Sequence, residues 1–265
     1  MIYWEREHLM AEYDRQTLNA RAGSALAIDE GLRSYMLRVY NYMGIGLVIT
    51  GLVAWFTANA AVTVDPSQAV AQLDSGRYLT QWGVLLFTSP LSWVVMLAPL
   101  AFVLVLSFGI NKLSVPAAQA TFWAFAAIMG LSLSSIFLVY TGASIAKVFF
   151  ITAATFGAMS LYGYTTKRDL TGMGNFLMMG LIGIIIASIV NIFMQSSMME
   201  FVISVVGVLI FTGLTAYDTQ KIKESYSEHY GADVMAKNAI MGALSLYLDF
   251  INLFMMLLRL FGNRE

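Results

Sequence analysis

Two aspartates interrupt stretches that otherwise read as membrane-spanning helix. Asp218 ends the apolar segment that carries Phe211, Leu214 and Tyr217, and Asp249 lies inside the next one, between Leu244 and Phe254. An ionised carboxylate at the centre of a bilayer costs about 2.5–3.5 kcal/mol on insertion scales, so such a residue marks function and needs a partner. Here each aspartate is a partner for the other. Two carboxylates brought together in a low dielectric cannot both ionise cheaply, and they share a proton. With the proton the pair joins two helices. Without it the pair repels or takes a divalent cation, and calcium suits it better than magnesium because calcium accepts several oxygens in loose geometry. Asp218 and Asp249 are therefore the expected proton-sharing pair and the expected calcium ligands.

Other polar residues recur at helical spacing around them. Asn238, Ser245, Asn252 and Arg259 are seven apart, with Asp249 close to that stripe, so they share one helix face. Ser204, Gly207, Phe211, Thr215 and Asp218 form a second face, and Gly180, Gly183, Ala187 and Asn191 a third. Small residues let membrane helices approach closely, so the glycine and serine positions read first as packing seams. Asn252, Ser245, Thr215 and Asn191 are the candidates to line a pore or support the aspartates.

The elements that position these residues follow from hydropathy. Hydrophobic residues make up 58% of the 265 and charged ones 12%, about half the charge of a soluble domain, and the mean hydropathy is +0.71. There is no cysteine, and His8 and His229 both lie in hydrophilic stretches, which excludes thiolate chemistry and argues against an imidazole zinc site. Runs of about 20 apolar residues predict seven spans near 39–58, 84–110, 118–139, 145–165, 175–195, 200–219 and 237–258. The second is interrupted by Pro90 and Pro99, and Pro99 is expected to kink it. The expected architecture is an all-α membrane domain over 33–265 behind a polar cytoplasmic tail at 1–32, disordered or surface-helical. With the N-terminus inside, the tail arginines, Arg33, Arg38, Lys112, Lys167, Arg168, Lys221, Lys223 and Lys237 fall inside, and Arg77, Lys147, Arg259 and Arg264 outside. Seven spans put the C-terminus outside, unless the last segment is re-entrant.

Several runs together resemble the transmembrane Bax inhibitor motif (Bax inhibitor-1) family, in its bacterial inner-membrane branch. They are Leu37–Met43, Tyr162–Gly174, Gly213–Ile222 and Ala243–Phe254. The resemblance implies seven transmembrane helices, the last one central and surrounded by the other six. It also implies a proton-sensitive calcium leak, controlled by the carboxylates that match Asp218 and Asp249. In bacterial relatives an arginine of the second helix joins the pair. This chain has no lysine or arginine between Arg77 and Lys112, which leaves Arg38 and Lys112 as candidates for that role.

Three readings of function compete. The leading one is a pH-sensitive calcium (cation) leak channel in the bacterial inner membrane, with lipid and calcium ions as its partners. The second is an interaction protein that modulates a membrane-bound quality-control protease. The third is an intramembrane aspartyl protease, which Tyr217-Asp218 and the aspartate of the next helix suggest. The glycines such enzymes carry before the second aspartate are absent, since Leu246, Tyr247 and Leu248 precede Asp249. The chain is thus read as no enzyme, with no cofactor beyond possible bound calcium and no nucleic-acid partner.

Overall fold

The computed structural model describes the backbone of residues 2–264 except 66, 68, 69 and 73–75, with side chains from Glu30 onward. Helix α1 is Ile2–Ala61, and most of the polar tail expected at 1–32 lies outside the described side chains. Helices α2 (Gln81–Phe87), α3 (Leu91–Gly109), α4 (Val115–Leu133) and α5 (Ile136–Val139) follow. The rest of the chain is α6 (Gly142–Thr165), α7 (Thr171–Met194), α8 (Ser197–Glu224) and α9 (Ala232–Phe261). Between α1 and α2 runs a small antiparallel sheet of β1 (Val62–Thr63), β2 (Ala71–Gln72) and β3 (Tyr78–Leu79), with β3 in the middle. Among the described residues, seven helical stretches are long and apolar enough to cross a membrane.

Each break in this pattern has a local cause. Ser114, Thr141 and Ser196 accept the N–H three residues on and cap α4, α6 and α8. Lys221 and Lys223 occupy the last turn of α8, where the helix dipole favours cations. The second predicted span is broken at Pro90. Pro90 stands at the N-cap of α3, while Pro99 is buried inside an uninterrupted α3. At the end of α2 the hydroxyls of Thr88 and Ser89 donate to Val84 O and Leu85 O at 2.8 and 2.5 Å, and Val84 O also accepts the backbone N–H groups of Thr88 and Ser89. Hydropathy alone does not register that break, because both pieces are apolar.

Helix α9 is the axis of the bundle. Its most apolar stretch is 72% buried, against 11% in α3 and in α7. It packs on α8, α1, α6, α4 and α3, while α7 lies chiefly on α8. Five of the other spans thus pack around the last, and α7 lies outside α8. Close approaches depend on small residues, as expected for helices whose association in lipid rests on van der Waals contact. A Cβ at Gly163 would lie 2.2 Å from the carbonyl oxygen of Ala216, and one at Gly130 would lie 2.6 Å from that of Thr50. Gly163→Ala is therefore expected to separate α6 from α8 and lower stability by about 1–3 kcal/mol. Gly183→Ala, where a Cβ meets nothing within 4 Å, should be close to neutral. Thermal melting of the two variants in detergent compares them directly.

The two ends of the bundle are distinct. Tyr35 on α1 hydrogen-bonds Ser225 just after α8, at 3.1 Å, so the start of the first span and the α8–α9 loop share one end. At the other end Asn263 N–H donates to Ser144 Oγ at 2.9 Å, and Arg264 pairs with Glu200 at 3.4 Å. The last segment is a single helix of 30 residues that crosses from one end to the other. The re-entrant alternative is overturned, since the C-terminus lies opposite the start of the first span.

Candidate functional site at the α8–α9 seam

Helices α8 and α9 run antiparallel, and their register decides where the aspartates meet. Gly242 faces Ile222, and Gly207 faces Met256. This register carries the first turns of α9 past the end of α8. The two aspartates, which an equal start would set roughly 18 Å apart along the axis, come to within about one turn, ~5 Å. Their carboxyls are within hydrogen-bonding reach of each other across the seam.

The surroundings of the two carboxyls differ. Asp249 is 5% exposed, and its Oδ2 has no hydrogen-bond partner in the structure. A buried polar atom without a partner costs about 1–3 kcal/mol, and more if it is charged. Asp218 is half-buried and lines a groove of about 270 Å³ with Lys221, Ser225, Asn238, Gly242 and Ser245. The groove opens at the end that carries the α8–α9 loop. Deeper than Asp249, the seam is filled by Met256 against Gly207 and by buried Leu253 and Leu257. The site is thus a polar recess whose floor is closed by apolar packing.

The other candidates are distributed unevenly. Ser245 lies in the groove beside Asp218. Thr215 is fully buried, and its hydroxyl donates within α8 to Phe211 O at 2.8 Å. Asn252 is half-buried and donates to Leu248 O of its own helix at 2.8 Å. Asn191 lies at the opposite end of the bundle. There its Oδ1 accepts the Ser196 N–H at 3.0 Å and supports the α7–α8 turn, in which Gln195 is left-handed. It has no place beside the aspartates.

The basic residue at the pair differs from both candidates read from sequence. Lys221, three residues after Asp218 on the same face, is the cation that acts on Asp218 and shares its groove. Arg38 is exposed and lines a different groove along α1, with Glu30 and Asn41. Lys112 is exposed in the turn after α3. Sequence reasoning passed over Lys221 because a lysine at a helix C-terminus is ordinary.

Sequence reasoning also missed a set of buried hydroxyls. Tyr40 on α1 bonds Ser160 on α6 at 2.5 Å, and Ser160 bonds Thr219 on α8 at 3.0 Å, one residue from Asp218. On the far side of α9, Tyr247 is fully buried, with its ring edge-on to Phe122 and Phe125. Its hydroxyl meets that of Thr50 at 2.6 Å, and Thr50 donates onward to Ala126 O at 2.8 Å. Single tyrosines, serines and threonines in apolar runs carry no spacing signal that would pair them.

The runs around 162–174 and 213–223 form one unit in space. Gln220 accepts the Leu170 N–H and donates to Arg168 O, both at 2.8 Å. Lys223 donates to Tyr164 O at 2.8 Å, and Gly174 is overlaid by the ring of Tyr217. The α6–α7 loop is thereby tied to the turns of α8 that hold Asp218.

The chain is similar to known proteins along nearly its whole described length. The pattern of the family described as "Inhibitor of apoptosis-promoting Bax1" matches residues 32–265. The "Inner membrane protein YbhL" of Escherichia coli is 47% identical over 248 residues, covering 92% of this chain and 98% of the relative. An uncharacterised protein of Rickettsia prowazekii is 47% identical over 237 residues, 89% of this chain and 92% of the relative. A further uncharacterised protein, of Caulobacter vibrioides, is 47% identical over 242 residues, 91% and 93% of the two chains.

Proposed function

We propose, on the premise that this chain belongs to the Bax inhibitor-1 family of membrane proteins, that it is a pH-sensitive calcium leak of the bacterial inner membrane. The observation that carries this reading is the aspartate pair across the α8–α9 seam, with one buried carboxyl oxygen unpartnered. Both carboxylates are acceptors only, so contact between them requires a proton. With that proton, α8 is held against α9 and the apolar packing below Asp249 stays closed. When the proton leaves, two like charges face each other at the bottom of a polar recess. They push the helices apart and attract a divalent cation. Asp218 and Asp249 then supply carboxylate oxygens to calcium in transit, and Ser245 and Asn238 add neutral ones from the groove.

The name of the Escherichia coli relative, an inner membrane protein, supports an inner-membrane location. The basic residues of the end that carries the pair, among them Arg33, Lys167, Arg168, Lys221, Lys223 and Lys237, support a cytoplasmic N-terminus by the positive-inside rule.

The test is calcium flux through proteoliposomes of the purified protein across a pH series. Flux that rises as pH increases through the titration of the pair is the expected result. Background flux at every pH would overturn the leak and favour the reading as a partner of a membrane-bound protease.

A further inference from the structure

A second cavity, independent of the aspartate recess, opens sideways between α1 and α6. It measures about 530 Å³ and is lined by Met36, Leu37, Tyr40, Phe156, Gly157, Leu161 and their neighbours, a volume usual for sites that hold small ligands, ~300–1,000 Å³. Its walls belong to two membrane spans, and Leu37 and Leu161 at its rim are 52% and 62% exposed. The opening therefore faces the hydrocarbon of the bilayer rather than water. At Gly157 a Cβ would meet nothing within 4 Å, so the glycine leaves a notch that the protein itself does not fill.

The charge along this groove is one-sided. Arg33 lines it at the end nearest the N-terminus of the span and is exposed. Tyr164, which also lines the groove, carries the Lys223 ammonium over its ring at 5.3 Å. Among the described residues no acidic side chain lines the groove, and Glu30, one turn before Arg33 on α1, lines the neighbouring groove instead. On α1, Arg33 and Tyr40 are seven residues apart, about 10 Å. A cation thus stands at the mouth of an apolar slot that runs inward along the helix. That combination matches one ligand chemistry, a phosphate group at the membrane surface joined to an acyl chain. Basic pockets between transmembrane helices hold anionic head groups in this way.

We infer that the α1–α6 groove is a seat for one anionic glycerophospholipid, with its phosphate on Arg33 and an acyl chain in the notch at Gly157. At the floor of the seat lies the Tyr40–Ser160 hydrogen bond, which continues to Thr219 of α8. An occupied seat thus presses on a chain of contacts that ends one residue from Asp218.

Native mass spectrometry of the full-length protein, with phosphatidylglycerol or phosphatidylcholine of identical chains added, tests the seat. Wild type should retain one phosphatidylglycerol with a preference of about fivefold, the worth of one cation near a lipid head group. Arg33→Gln should bind both lipids equally. Gly157→Trp should retain neither, whereas Gly172→Trp, at another position where a Cβ meets nothing, should behave as wild type. Melting temperature confirms that each variant is folded. Equal retention of the two lipids by wild type, or unchanged retention in folded Gly157→Trp, would overturn the seat. A photo-crosslinker at Leu161 that captured a protein instead of lipid in native membranes would also overturn it.

Discussion

Asp249→Asn is expected to abolish the pH dependence of calcium flux while leaving the protein folded. Asparagine keeps the shape of the side chain and one acceptor, and its amide donates to Asp218 without needing a proton. The seam then stays bonded at every pH, and flux should remain at its low-pH level. Asp218→Asn should give the same phenotype from the other side of the seam. The double variant should resemble either single one, because the two carboxyls titrate as one unit. Flux curves for the four proteins across the same pH series provide the comparison. Additive effects, or a pH dependence retained in either single variant, would separate the two residues and remove the pair from the mechanism.

The largest expected loss of stability lies on the other side of the same helix. Tyr247 is among the largest fully buried side chains and fills the space between Phe122, Phe125 and Thr50. Tyr247→Ala should leave a cavity at the crossing of α1, α4 and α9 and cost about 3–5 kcal/mol, the usual range for truncating a buried aromatic. Tyr247→Phe keeps the ring and loses only the bond to Thr50. Thr50 still donates to backbone carbonyls, so that change should cost only about 1 kcal/mol. Melting in detergent with both variants separates packing from hydrogen bonding. A small effect of Tyr247→Ala would mean that α9 is held by its α8 seam alone.

Lys221 offers a narrower test of the electrostatics. Its ammonium acts on Asp218 in the groove, so Lys221→Gln removes a charge that favours the ionised carboxylate. The pair should then hold its proton to higher pH, and the rise in flux should move to higher pH. Lys112→Gln, at the other end of the sequence's own shortlist, should leave the curve in place.

Several features were legible in the residues alone. Seven long apolar runs can bury their backbone polar groups in lipid only as helices, so span number and fold class followed from hydropathy. The cost of a carboxylate in hydrocarbon singled out Asp218 and Asp249, because that cost depends on the residue and its apolar neighbours and on nothing distant. The tertiary structure decided the rest. The two aspartates meet only because α9 is displaced along α8 by the Gly242–Ile222 and Gly207–Met256 contacts, and axial register leaves no trace in a hydropathy profile. The partners of Tyr40, Ser160, Thr219, Thr50 and Tyr247 are set by which helix faces touch. Asn191 matched the spacing of a site residue yet serves a turn at the far end, and Lys221 read as an ordinary helix terminus yet stands beside Asp218. Spacing places a residue on one face of one helix, whereas depth in the bundle and the identity of the facing helix come from packing small residues against large ones.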